Sequence, residues 1–307
     1  MSITAADVKA LREKTGAGMM DCKKALTEVG GDQDKAVEYL RKQGLASAGK
    51  KAGRIAAEGA VVAEVSSDAK TGALLELNCE TDFVGKTEDF TNLAKSLTEL
   101  VRDQNPSDLK EFLGLSFGTG TVDNLVQASI AKIGEKITPR RFVRYGVDKG
   151  VVHSYIHGGG SIGVLLALEV SDESIVSNDK FKELFADLAM HIAAAAPTYL
   201  KRDEVPTSET DKEIDIYKEQ LRKEGKPEAM LEKISQGKIN KYYQEVCLLE
   251  QPFVKETKLK IKQLLQNVGK ELGAEISIPS FSRFVLGEGI EKKQEDFAAE
   301  VAAAVQG

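Results

Sequence analysis

A chain of 307 residues exceeds one ordinary domain and allows two or three, each long enough to build a proper core. Its composition, 42% hydrophobic and 29% charged, is that of a water-soluble globular protein, and a formal net charge of −6 argues against a nucleic-acid binder held by phosphate contacts. Cys22, Cys79 and Cys247 are odd in number and far apart, no apolar stretch reaches membrane-spanning length, and the amino terminus has no apolar leader pattern, so a cytoplasmic protein with reduced thiols is expected.

The first fifty residues predict three short helices. Thr4 with Asp7 makes a capping start, Val8 and Leu11 share a face, and Gly16 and Gly18 end the helix. A second helix sets Cys22, Ala25, Leu26 and Val29 on one side and stops at Gly30-Gly31. Asp32 caps a third, with Ala36, Val37 and Leu40 inward and Gly44 as the stop. Ala46 to Ala57 is small, basic and glycine-punctuated, either a linker or an irregular helix. Overlapping its start, Gly44-Leu45-Ala46-Ser47-Ala48-Gly49-Lys50 matches a phosphate-binding loop up to the lysine. Lys51 replaces the Ser or Thr that would hold magnesium, and the segment follows a helix instead of a strand, so no bound nucleotide or other cofactor is expected.

Beyond residue 57 the chain repeats a pattern. Gly59 to Val65 and Gly72 to Leu77 form one hairpin, and Gly150 to Ile156 and Gly163 to Val170 another, each followed by a helix near Phe90 or Phe181. Ala131 to Ile137 with Arg141-Phe142-Val143 is echoed by Gln266 to Leu272 with Arg283-Phe284-Val285. Two related α+β subdomains follow, each a small antiparallel sheet backed by helices. The second is longer, its surplus lying between Pro197 and about Pro252. There Ile214, Tyr217 and Leu221, then Met230, Leu231, Ile234 and Ile239 after Gly225-Lys226-Pro227, predict an antiparallel coiled-coil hairpin or a helical pair lying on the body.

Thr81-Asp82-Phe83-Val84 follows the apolar run Ala73 to Cys79, whose alternating part reads as a half-buried strand. Helical spacing then begins, from Phe90 through Leu93, Leu97 and Leu100. Asp82 and Phe83 therefore stand at a strand-to-helix corner on a rigid support. An acid beside a large aromatic there suits a wedge into a partner; burial of Phe83 in the core is the competing expectation. Met19 and Met20, adjacent at a helix start, cannot both face a small core, and one exposed Met suits an adaptable interface or is a tolerated surface residue. His153 and His157 share a strand face, but no nearby Cys or His-Glu-x-x-His pattern completes a zinc site, so no metal is expected. No Ser lies in a nucleophile elbow, Cys79 reads as buried and inert, and Gly158-Gly159-Gly160 reads as a hairpin turn.

Leu11-Arg12-Glu13-Lys14-Thr15-Gly16-Ala17-Gly18-Met19-Met20-Asp21-Cys22-Lys23-Lys24-Ala25-Leu26 resembles the amino-terminal signature of the bacterial elongation factor Ts family. Thr81-Asp82-Phe83-Val84 resembles its second signature, and Gly287-Glu288-Gly289-Ile290-Glu291-Lys292 a third. The resemblance covers the whole chain in the right order. It implies a guanine-nucleotide exchange factor for the GTPase elongation factor Tu, acting without covalent chemistry, with a first module of the ubiquitin-associated type. It further implies that Arg12, Met19, Met20 and Lys23 touch the GTPase domain. Asp82 and Phe83, flanked by Thr81 and Val84, would enter that domain beside its magnesium and phosphate region. His157 and Gln251-Pro252-Phe253-Val254 would meet another domain of elongation factor Tu.

The expected architecture is thus α+β. Residues 1–54 form the three-helix module, 55–146 the first subdomain, 147–286 the second with its insertion at about 200–250, and 287–307 a carboxy-terminal module. In the last, Phe297, Val301 and Val305 make one helical stripe that packs on the body or on the partner. The hairpin leaves self-association open. A different class also fits the residues: an assembly module that binds a GTPase without promoting exchange.

Overall fold

The computed structural model describes residues 3–118 and 120–291, so the stripe of Phe297, Val301 and Val305, and Lys292 of the third signature, lie outside the described residues. Thr4 opens α1 (Ala5–Thr15) with a capping box: its hydroxyl accepts from the Asp7 N–H at 3.2 Å and Asp7 accepts from the Thr4 N–H at 2.9 Å. Left-handed Gly16 ends the helix. With α2 (Met19–Glu28) and α3 (Gln33–Lys51), α1 encloses a small core of Val8, Leu11, Cys22, Ala25, Leu26 and Ala36. The expected stop at Gly44 is absent, because α3 runs on to Lys51. Gly44 is buried where a later helix crosses, and a Cβ there would lie 3.5 Å from the Gln127 carbonyl oxygen. The glycine serves close helix approach instead of a cap. Residues 46–51, half of the segment expected as a linker or an irregular helix, are therefore helix.

The first sheet is built from β1 (Glu58–Val65) and β2 (Thr71–Cys79), followed by the single turn α4 (Asp82–Gly85), α5 (Glu88–Gln104) and α6 (Leu109–Gly114). A two-residue hairpin, β3 (Ser116–Phe117) and β4 (Gly120–Thr121), leads into α7 (Val122–Ile133) and β5 (Thr138–Gly146). The second half repeats the plan with β6 (Gly150–His157), β7 (Ile162–Val170) and α8 (Asp179–Ala195). The helical pair α9 (Thr207–Lys223) and α10 (Glu228–Val246) is inserted next. It precedes the short β8 (Pro252–Phe253) and β9 (Glu256–Lys260), then α11 (Ile261–Leu272) and β10 (Ile276–Val285). Strand orders β1-β2-β5 and β6-β7-β10 are the same, all antiparallel.

The repeat is close in detail. The same 91 residues separate Gly59 from Gly150, Phe90 from Phe181, and the left-handed helix caps Asn105 and Ala196. Gly59 and Gly150 have φ of 127° and 125°, and a Cβ on either would overlap the facing carbonyl oxygen of Leu77 or Leu168. Arg144 Nε donates to the Arg102 carbonyl at 2.6 Å, and Arg283 Nε donates to the Ala193 carbonyl at 3.0 Å, again 91 residues apart on the helices. Strand pairing corrects the sequence match of the third strands. Phe142 lies opposite Leu75 and Phe281 opposite Leu166, so Phe281 is the counterpart of Phe142 and Phe284 is not. Likewise the counterpart of the helix-ending Gly134 is Gly273, since Gly269 lies inside α11.

The two sheets pack face to face through Val61, Leu74, Val147, Val152, Leu165, Ala167 and Phe284. On the outer face of the first, Leu75, Leu77, Phe90, Leu97, Phe112 and Val126 form a core with α5, α6 and α7. On the outer face of the second, Leu166, Leu168, Phe181, Leu188, Ile261 and Leu265 do the same with α8 and α11. The β2 run expected to be half-buried is therefore buried on both faces, which explains why it is nearly all apolar. The hairpin α9–α10 turns at Gly225 (φ 75°) and closes on Leu221, Leu231 and Ile239. At its root the Thr198 and Tyr199 N–H groups donate to the Val246 carbonyl.

One polar group interrupts β2. Glu76 is fully buried and accepts from Arg140 Nη1 at 2.9 Å, Arg141 Nε at 2.6 Å and the Gly287 N–H at 2.8 Å. Burial alone would raise its carboxyl; the Gly287 N–H and the two guanidiniums outweigh this and hold it below the usual carboxylate range. Arg141 also donates to the Val285 carbonyl and to the Glu288 carboxylate, so the turn after β10 is stitched to the first sheet. Glu76→Gln is expected to cost about 3 kcal/mol, since it strips one partner from a buried ionic cluster. Because the folded carboxyl titrates below its unfolded value of about 4.5, that cost stays full at neutral pH. It shrinks as the pH falls through the lower folded value. Denaturant unfolding at pH 7 and at acid pH checks this; a variant as stable as wild type at pH 7 would contradict it.

Candidate functional site

Phe83 is 79% exposed, which removes the core expectation for it. It stands on α4, the one-turn helix between β2 and α5, beside exposed Asp82. Lys86 lies one turn on, 2.6 Å from the Asp82 carboxylate, and holds that carboxyl below the usual range. The other two residues of the quartet face inward. The Thr81 hydroxyl caps α4 by accepting from the Val84 N–H at 3.3 Å, and half-buried Val84 packs against the first core. At the far end of the turn, a Cβ on Gly85 would come within 3.0 Å of the Gly59 carbonyl oxygen, so α4 rests directly on the β1 backbone.

Glu135, a residue that no local motif marks, holds the near end. It follows Gly134, the cap of α7, and its carboxylate accepts from the Glu80 N–H at 3.1 Å, the Thr81 N–H at 3.0 Å and the Thr81 hydroxyl at 2.7 Å. In return the Glu80 carboxylate accepts from the Lys136 N–H at 2.6 Å and pairs with Arg54 at 3.2 Å. Beneath the corner the Cys79 thiol donates to the Thr81 carbonyl and is pushed up to about 12 by burial and then by the nearby Glu135 charge. Such a thiol is no nucleophile at neutral pH.

Met19 and Met20 are 60% and 74% exposed, so both, not one, face solvent at the start of α2. Arg12 and Lys23 are exposed on α1 and α2. A cleft of about 620 Å³ lies nearby, between the α1–α2 turn, α3, the β3–β4 hairpin and α7, but neither Met lines it.

His157 ends β6 exposed, with Nδ1 3.0 Å from the Tyr155 hydroxyl. The three glycines after it do more than turn the chain. Gly158 and Gly159 take left-handed φ of 57° and 64°, while the Gly160 carbonyl accepts from the Val61 N–H at 2.8 Å. The extra length reaches the first sheet. His153, its neighbour on the strand, is half-buried with its ring 4.6 Å from that of Phe185, a packing role. Among the described residues no three His, Cys, Asp or Glu side chains gather as a metal site. The phosphate-loop look-alike, residues 44–50, lies inside α3, where its N–H groups are used along the helix.

Val254, 45% exposed, is placed by a buried histidine that the sequence did not single out, one His within the apolar face of α8. His191 Nδ1 accepts from the Val254 N–H at 3.3 Å. Its Nε2 lies 2.9 Å from Gln251 Oε1, and the Gln251 amide donates to the Ala195 and Glu245 carbonyls. The acceptor role of Nδ1 assigns the proton to Nε2. Burial lowers the imidazole against the smaller opposing effect of Gln251, so it is neutral in the fold. Among the described residues no helix is long and apolar enough to cross a membrane.

Comparison with known proteins gives the family. A sequence model described as elongation factor TS matches residues 80–288. The chain is 47% identical to elongation factor Ts of Trichlorobacter lovleyi over 307 residues, covering 99% of each chain. It is 49% identical to elongation factor Ts of Clostridium acetobutylicum, again over 99% of both, and 50% identical to that of Clostridium perfringens over 98% of both.

The His191 assignment is open to direct measurement. Long-range nitrogen–proton NMR spectra at pH 7 should show the Nε2–H tautomer, and the ring should stay neutral as the pH falls past 6.5, its unperturbed value. A ring half-protonated at 6.5 would contradict the assignment.

Proposed function

This chain belongs to the elongation factor Ts family, and on that premise we propose how it acts on elongation factor Tu: as a guanine-nucleotide exchange factor whose corner residues Asp82 and Phe83 open the GTPase beside its magnesium and phosphates. The observation that carries the residue assignment is Phe83 itself. A phenyl ring 79% exposed on a turn pinned at both ends has no role in holding its own fold, and it presents an apolar anchor at fixed height. Asp82 beside it supplies a charge that can compete near a metal-binding region.

Exchange needs no covalent step, and the protein acts without a cofactor of its own. It must bind nucleotide-free elongation factor Tu more tightly than the GDP form, and by linkage the nucleotide then weakens the factor equally. Moving a partner from 1:99 to 99:1 in favour of the open state takes about 5.5 kcal/mol of differential binding. A buried aromatic anchor supplies on the order of 2–4 kcal/mol, so one residue does not suffice. We assign the remainder to Arg12, Met19, Met20 and Lys23 on the amino-terminal module, and to His157 and Val254 on the second half. The two Met side chains suit an interface that adjusts as the nucleotide leaves. The setting is the cytoplasm, where the GTPase cycles during translation.

Phe83→Ala should cut the acceleration of GDP release from elongation factor Tu by about thirtyfold, the loss of roughly 2 kcal/mol expected of an aromatic anchor. Its unfolding midpoint should match wild type, because the ring is outside the core. Stopped-flow release of a fluorescent GDP analogue, with a thermal melt beside it, checks both. Unchanged release would remove Phe83 from the mechanism.

A further inference from the structure

We propose that Glu135 is a positioning residue for exchange, the group that aims the Asp82–Phe83 corner. The proposal rests on the contact reading above and adds a residue far from that corner in sequence.

A helix of one turn, such as α4, cannot orient itself, because a single turn lies below the length at which helices hold together. Its direction must come from its ends. The amino-terminal end is Thr81, whose hydroxyl has two jobs: it accepts from the Val84 N–H and donates to Glu135 Oε1 at 2.7 Å. The other oxygen of the same carboxylate takes the Glu80 and Thr81 N–H groups at 3.1 and 3.0 Å. Three donors from two consecutive residues fix both the position and the roll of the strand exit, and the hydroxyl hydrogen is committed so that its lone pair points at α4.

Glu135 can impose this geometry because it is itself held. Left-handed Gly134 closes α7, whose Val122, Val126 and Ile130 sit in the first core, and Ile137 just beyond is buried too. Between them Lys136 donates its N–H to Glu80, making the connection reciprocal. The Lys136 ammonium also donates at 2.8 Å to both the Ala52 and Arg54 carbonyls, and Arg54 returns to Glu80. One cluster therefore ties the strand exit that carries Phe83 to the connector that carries the amino-terminal module with Met19 and Met20. The two exposed contact patches share an anchor.

A carboxylate that only stabilised the fold would give losses independent of Phe83. The test is a double-mutant cycle on GDP release from elongation factor Tu, using the full-length chain as wild type, Glu135→Ala, Phe83→Ala and the double variant. Glu135→Ala should lower the acceleration by about tenfold in the wild-type background and by clearly less in the Phe83→Ala background, where only the Asp82 part of the corner is left to misplace. Thr81→Val, which deletes only the hydroxyl, should lose exchange in the same non-additive way, and Thr81→Ser should restore most of it. A Glu135→Ala protein that exchanges at the wild-type rate, or whose loss adds fully to that of Phe83→Ala, overturns the inference. If Phe83→Ala itself exchanges normally, the contact reading fails and this inference with it; a crippled Phe83→Ala beside a normal Glu135→Ala removes this inference alone.

Discussion

A three-stranded sheet covered by helices on one side leaves its other face apolar and wet, and in this protein each of two such sheets covers the other. Leu74 and Val61 of the first meet Leu165 and Val152 of the second, so β2 and β7 are buried on both faces and behave as the centre of one four-layered body. Small residues make the approach possible: a Cβ at Gly72 would lie 2.7 Å from a Val152 methyl. Glu76 adds direction to what hydrophobic packing leaves unspecific. Its cluster with Arg140, Arg141 and the Gly287 N–H accepts only one placement of the turn after β10 on the first sheet.

That rigidity is what lets small surface features act. An exchange factor works by a difference between two affinities, and a contact group held at fixed height turns a change in the partner's shape directly into such a difference. Phe83 stands on a turn that is capped by Thr81, seated on the Gly59 backbone and tied to α7 through Glu135. Val254 hangs from His191, which is locked in the second core by Gln251. In both places an exposed apolar group is mounted on a polar device, half-buried at Thr81 and Glu135 and fully buried at His191 and Gln251. The amino-terminal module differs, since its small core is joined to the body by α3 lying on α7 with Gly44 buried at the crossing.

Much of the fold is legible in the sequence because it is local. The capping box at Thr4, the hairpins at 59–77 and 150–170, and the helices after them are dictated by short-range pattern and glycine placement. The errors arise where distant segments decide. Gly44 looks like a helix stop, yet it lies within a continuing helix and is buried where α7 passes, a Cβ there standing 3.5 Å from the Gln127 carbonyl oxygen. The tripeptides Arg141-Phe142-Val143 and Arg283-Phe284-Val285 look equivalent, but strand pairing chooses Phe281 to face Leu166, and Arg283 matches Arg144 through its bond to the helix carbonyl. Glu135 and His191 carry no local signature, because what distinguishes them are partners more than fifty residues away. The exposure of Phe83 likewise follows from where the core ends, which composition does not reveal.

The most direct test of this account compares two affinities in one titration format, for nucleotide-free and for GDP-bound elongation factor Tu. Tighter binding to the nucleotide-free form by a factor on the order of 10⁴, with GDP weakening the complex by the same factor, is the predicted result. Equal affinity for the two forms would contradict it, and would leave a protein that binds the GTPase without opening it.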